Sequence, residues 1–198
     1  MMTYPKQRKF QARNGVNLAC EKCGAAIVKG DQYRTVQQGF RGRKMVRCTA
    51  VACQFKRSEY TSSKMAGVYA ATEQAHEEID ALTETDLASV NDDLAAILSI
   101  AADAWREVAS EYEEAADAMG DGFGDQTREK AEQINDAADS LEGETVEVEE
   151  PGDCDCPPQD DVSDGEDCQT CAEKVAEAIE AVKDEAREAL DNAESEIG

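Results

Sequence analysis

The sequence predicts an α+β chain: a small four-cysteine module containing a β-hairpin, followed by a mainly α-helical acidic region built as helical hairpins or a small bundle. Three observations carry this prediction. Cys20, Cys23, Cys48 and Cys53 form two pairs that need a segment folded back on itself. The charge divides sharply, with 14 Lys or Arg against 3 Asp or Glu over 1–65, a net +11, and 6 against 41 over 66–198, a net -35. From Met65 onward, apolar residues recur at steps of three and four, the period of an amphipathic helix. The expected parts are a basic module over 1–64, an acidic helical region over 65–142, an acidic cysteine-containing loop over 143–170 and a last helix over 171–198.

The composition limits what the core can be. Leu, Ile, Val and Phe together number 31 of 198 residues, matched by 31 Ala, so a large mixed core of the Rossmann or barrel kind is not expected. What remains possible is a metal-nucleated module and thin Ala-rich helices. Met1 to Lys9 is polar and basic, and no window of 18 apolar residues occurs, so neither a secretory signal nor a membrane span is expected and the expected location is cytoplasmic. In that setting eight cysteines read as metal ligands rather than disulfides.

Within the basic module, Cys20 and Cys23 make a C-x-x-C followed by Gly24, and Cys48 and Cys53 follow after 24 residues. Zn2+ takes four soft ligands at tetrahedral positions, and a C-x-x-C turn supplies two of them. Ala26 to Val28 and Tyr33 to Gln37 read as β-prone runs around the turn Lys29, Gly30 and Asp31. A second turn, Gly39 to Gly42, precedes Lys44 to Arg47. Unmetallated thiol pairs are the plain alternative. A redox C-x-x-C lacks its βαβ setting.

The segments CEKCGAAIVKGDQY and GFRGRKMVRC, the second ligand pair and a following helix resemble treble-clef and zinc-ribbon modules with four cysteine ligands. More loosely they resemble small uncharacterised zinc proteins encoded by bacterial and archaeal viruses. The resemblance covers roughly residues 8–75, and its specific element is the ligand pattern. It implies zinc at Cys20, Cys23, Cys48 and Cys53 and no activity. The second pair departs from the pattern, with four intervening residues where a standard knuckle has two.

A second group, Cys154, Cys156, Cys168 and Cys171, lies in an Asp-, Pro- and Gly-rich loop. Two readings stand: a second four-thiolate zinc site stapling the loop, or an acidic loop with free thiols or a disulfide.

The helical expectations follow from stripes. Thr61, Ser62 and Ser63 are N-cap candidates before Met65, Val68, Ala75, Ile79 and Leu82. Leu87, Val90, Leu94, Ile97, Ala101, Ala104, Val108 and Ala115 mark a long helix ended by Gly120; Ala131, Ile134 and Leu141 mark a third. Val175, Ile179, Val182, Ala186, Ala189 and Ala193 mark a fourth, starting from Asp167 or Thr170. Narrow Ala seams bury little area, so weak packing is expected, within the chain or against another.

Chemistry finds little support. His76 opens HEEID, but Asp80 stands where a zincin has its second His, and the chain holds no other His. Asp160, Asp164 and Gly165 imitate a calcium loop, but Val162 and Cys171 occupy ligand positions. GDGFG has no preceding strand and no phosphate-binding Lys. The chain is expected not to be an enzyme.

The basic module offers the more informative surface. Arg8, Lys9 and Arg13 belong to an N-terminal arm with Lys6; Arg41, Arg43, Lys44 and Arg47 line the hairpin; Lys56 and Arg57 follow the last ligand. Tyr4, Phe10, Tyr33, Phe40, Phe55 and Tyr60 are interleaved, six of the chain's ten aromatics. Cations can contact phosphates and aromatics can stack on bases. Aromatics also serve a minimal core, and the chain's own acidic region is the nearest polyanion.

Two functional expectations follow: a virus-encoded zinc regulator or accessory factor whose basic module touches nucleic acid while its acidic helices engage a protein, or an acidic interaction protein, a DNA mimic or assembly component, in which zinc is purely structural. A uniformly halophilic adaptation does not fit the basic amino end.

Overall fold

A computed structural model describes residues 8–12, 18–37, 43–83, 87–119, 124–143 and 169–197. The chain divides into two compact units, Met1–Ala70 and Ala71–Gly198.

The first unit holds two small antiparallel sheets. β1 (Arg8–Gln11), β4 (Gln32–Gln37) and β5 (Lys44–Cys48) form one, in the order β1-β4-β5; β2 (Leu18–Ala19) and β3 (Ala26–Ile27) form the other. The expected β-hairpin is present as the antiparallel pair β4–β5. Ala26–Ile27 does not close on Tyr33 to Gln37 but pairs back on Leu18–Ala19. The reason lies in the knuckle, where the Cys20 N–H donates to Ala25 O and the Gly24 N–H to Cys20 O, both at 2.8 Å. Those bonds hold the flanking residues in register across the turn. Gly24 has φ +73°, left-handed backbone that favours glycine. The turn after β3 is present, with Gly30 at φ +97° and the Val28 N–H donating to Asp31 Oδ2 at 2.9 Å, but it carries the chain from one sheet to the other.

The N-terminal arm is likewise sheet in part, since Arg8–Gln11 pairs along β4. After β5, the four residues between Cys48 and Cys53 are absorbed by a 3₁₀ turn, Val51–Cys53, in which the Cys53 N–H donates to Ala50 O at 3.0 Å. A single-turn helix, α1 (Arg57–Tyr60), follows. Thr61 terminates α1 rather than starting the next helix: its hydroxyl and its N–H both donate to Arg57 O. α2 (Met65–Ala81) then begins, with Met65, Val68 and Tyr69 buried.

The second unit is helical, comprising the rest of α2 with α3 (Leu87–Met119), α4 (Asp125–Gly143) and α5 (Gln169–Ile197). The apolar face of α3 is wider than the expected stripe. Val90, Leu94, Ile97, Ala101 and Val108 are buried as expected, and Leu98, Ala102, Trp105, Ala109 and Ala116 join them. The expectation of narrow seams therefore fails at α3. It has two buried edges because it is packed by more than one helix, and Trp105, fully buried, fills the space that Ala leaves. Ile134, Leu141, Val182, Leu190 and Ile197 complete the core. α3 and α4 run antiparallel, tied by Arg106 to Asp139 and Glu142 at one end and Arg128 to Asp117 at the other. At their turn, a Cβ on Gly124 would stand 2.5 Å from Ala116 O, so the backbones approach as only glycine permits.

Five of the six Lys and Arg beyond residue 65 link elements of this unit. Besides Arg106 and Arg128, Arg187 on α5 bonds Asp80 on α2 at 2.7 Å, and Lys183, 6% exposed, donates to Leu82 O at 2.7 Å. Lys130 on α4 donates to Ile197 O, the last residue of α5. Scarce cations amid many carboxylates thus serve as ties between helices. His76 is half-buried on α2, with Nε2 3.3 Å from Asp191 on α5. No helix among the described residues is long and apolar enough to cross a membrane.

Candidate metal centre

The knuckle between β2 and β3 delivers Cys20 and Cys23; the end of β5 delivers Cys48; the 3₁₀ turn delivers Cys53. All four Sγ atoms lie within 4.8 Å of one another, and Cys23 Sγ is 3.9 Å from Cys48 Sγ. A tetrahedral ion with bonds of about 2.3 Å requires sulfurs ~3.8 Å apart, so this donor set fits one four-coordinate ion. Cys20 and Cys53 are buried, Cys48 is half-buried and Cys23 is exposed. Ala12, Ile27, Leu18, Tyr33 and Val46 pack around the buried pair among the described residues.

The thiols are electrostatically unlike. Burial works to push the Cys20 thiol up, but backbone N–H groups of Cys23, Cys48 and Lys22 donate to its sulfur and bring it down to about 6. The Cys53 thiol is pushed up to about 12 by hydrogen bonding with Cys48, by burial and by the other thiols. Without a cation, one sulfur is a ready thiolate while another keeps its proton. A divalent ion held by the four sulfurs would replace that proton and neutralise part of the crowding.

A part-buried ion pair braces the segment carrying the second cysteine pair. Arg47 meets Glu59 bidentately, with Nη1 and Nη2 each 2.7 Å from a carboxylate oxygen, and Nη1 also donates to Gln54 O at 2.9 Å. Glu59 accepts from the Lys56 N–H at 2.8 Å, capping α1 from inside its first turn. Burial opposes ionisation of Glu59, but the Arg47 guanidinium and that N–H hold its carboxyl below the usual range. The guanidinium also lies 4.5 Å from the Phe55 ring centre.

The structure redistributes the basic residues expected at a nucleic-acid surface. Arg47 is a correction: at 8% exposure it is a buried partner of Glu59, because β5 turns it away from solvent onto Phe55. Arg57 is half-buried, its Nη2 2.6 Å from Tyr69 Oη, and Lys56 is half-buried at the start of α1. Arg43 is exposed and paired with Glu21 at 3.0 Å. Lys44 is exposed, with Nζ 5.2 Å from the centre of the Phe10 ring, which stacks on Tyr33 at 5.8 Å. Arg8 and Lys9 are placed only by their backbone in β1; their side chains, together with Arg13 and Arg41, lie outside the described residues. Cys154, Cys156 and Cys168, and the side chain of Cys171, also lie outside them.

Glu21 and Glu59 escaped the sequence reading. They are two of only three carboxylates in residues 1–65, and scarcity in a basic segment was the available signal. The fold and site define a small β module organised around four convergent cysteines, joined to an acidic helical unit. No family model, curated protein or solved structure matches the chain.

Proposed function

We propose that this chain is a non-enzymatic zinc-binding accessory protein, of the virus-encoded kind its ligand pattern resembles, whose zinc module contacts nucleic acid and whose acidic helices contact a protein. The convergence of the four Sγ atoms within 4.8 Å carries this reading. Four thiolates fill a tetrahedral ion and leave no open position for substrate, which supports a structural metal. Zinc would be held by Cys20, Cys23, Cys48 and Cys53, and its binding energy is the module's folding energy. The nucleic-acid contact draws support from exposed Lys44 beside the Phe10–Tyr33 stack, with exposed Arg43 its neighbour in sequence. Native mass spectrometry of the full chain should find zinc that Cys20→Ser loses. Filter binding of the zinc-loaded chain should show salt-sensitive retention of an oligonucleotide, weakened by the pair R43S and K44S. Absence of zinc from the native chain would end the proposal.

A second reading has its own observation. Because five of the six cations in the helical part are spent between elements, its outward positions are left mainly to Asp and Glu. That surface suits an acidic interaction protein competing with DNA for a basic groove. Failure of the zinc-loaded chain to bind oligonucleotides at low salt, with DNA-displaceable binding to a basic DNA-binding protein, would select it.

A further inference from the structure

The strand registers align basic residues across the three-stranded sheet. Arg34 on β4 stands opposite Arg47 on β5, and Lys9 on β1 stands opposite Arg34. Like charges directly opposite one another destabilise a sheet unless something neutralises them. Glu59 does this for Arg47 by occupying Nη1 and Nη2. Nothing among the described residues does it for Arg34. Its Nη2 has a long 3.5 Å contact with Thr49 O, its Nη1 is buried with no acceptor among the described residues, and the neighbouring Arg47 Nε is buried with none among them either. The contrast is sharp, because Arg43, Arg47, Arg106, Arg128 and Arg187 all meet carboxylates, and Arg57 meets a hydroxyl. Orphaned guanidinium N–H groups are costly, and native proteins satisfy such groups with water or an ion.

We infer that Arg34 is a seat for a phosphate group on the zinc module. A guanidinium fork matches two oxygens of a tetrahedral oxyanion and is the usual group for that recognition. Arg34 is only half-buried, and turning its fork outward sacrifices no good hydrogen bond, since Nη1 has none and Nη2 has only the long one. Arg47 cannot turn in the same way, being held by Glu59 and Gln54, and Glu59 offsets its charge, so the cation of the seat is Arg34 alone. The same chemistry serves a nucleic-acid phosphodiester or a free phosphate. The first source rests on the nucleic-acid reading above; the second does not.

The experiment uses the full zinc-loaded chain and Arg34→Gln, with two probes: a labelled oligonucleotide followed by anisotropy across a salt series, and inorganic phosphate followed by thermal shift against chloride at equal ionic strength. The seat predicts that R34Q loses phosphate stabilisation, binds the oligonucleotide several-fold more weakly, and lowers the salt slope by about one unit. It also predicts that R34Q without phosphate keeps its zinc and melts no lower than the parent, because an unneutralised charge has been removed; a purely structural arginine would give a lower melting point. Arg34→Lys, which keeps the charge but not the fork, should recover the salt slope and only part of the affinity. Parent binding of phosphate but not oligonucleotide would keep the seat and end the nucleic-acid reading. A parent indifferent to both probes, or R34Q equal to the parent with both, would overturn the seat.

Discussion

Glu59→Gln should weaken zinc binding without touching a zinc ligand. Arg47 is 9% exposed at its side chain and meets Glu59 through two bonds of 2.7 Å, while Lys56 N–H adds a third at 2.8 Å. Removing one member of a well-buried pair costs about 3–5 kcal/mol, because the other charge stays behind without its partner. Glu59 keeps 28% exposure, so water recovers part of that, and about 2–3 kcal/mol is the expected loss. In a metal-nucleated module folding and metal binding are one equilibrium, and each 1.4 kcal/mol is a factor of ten. The apparent zinc affinity should therefore fall roughly 30- to 150-fold, measured by competition with a chromophoric chelator at pH 7.5. Replacing both charges, Arg47→Met with Glu59→Leu, should restore much of it, since no buried charge is then left unpaired. Zinc retention by E59Q within about threefold of the parent, or a double variant weaker than the single, would refute the reasoning.

Other perturbations test other parts of the structure. Zinc affinity should rise about tenfold per pH unit or more between pH 6 and 8, because Cys53, pushed up to about 12, keeps its proton there and must lose it to bind metal; a pH-independent affinity in competition titrations would contradict this. Chelating the zinc should abolish the dispersed amide signals of the β module while leaving Trp105 emission unshifted, since Trp105 is fully buried within the helical unit; a red shift on chelation would deny that independence. Gly124→Ala should destabilise the helical unit by about 1–3 kcal/mol in urea titrations followed by Trp105, because the new Cβ meets backbone at Ala116 O rather than a movable side chain; an unchanged midpoint would mean the α3–α4 turn relaxes freely. Arg187→Met should cost less, about 0.5–1 kcal/mol by the same titration, since its partner Asp80 is two-thirds exposed; a larger loss would make this tie more than a surface pair.

The convergence of the cysteine pairs 20/23 and 48/53 was legible because C-x-x-C is a local turn and a four-thiol site needs a second pair folded back onto it. The four long helices were legible because three-and-four spacing is a local consequence of 3.6 residues per turn. Strand pairing was not. Ala26–Ile27 is equally β-prone whether it pairs forward or back, and the choice of Leu18–Ala19 rests on bonds across the knuckle that exist only when Cys20 and Gly24 are in place. Width of burial was not legible either, since a stripe read against one neighbour misses Leu98, Ala102 and Trp105, which become core only when α3 has neighbours on two sides.

By itself, then, the sequence determined the division into a basic cysteine module and acidic helices and the four cysteines that converge within that module, because these depend on composition and short spacings. Only the tertiary structure decided what each cation is for. Arg43 and Lys44 remain at the surface, Arg47 goes inside to Glu59, and Arg34 is left without a counter-charge among the described residues. Five cations of the helical unit become ties between its elements. The physical reason is that a charge takes its role from the groups brought within a few ångströms of it, and those groups lie 12 residues away in one case and 107 in another.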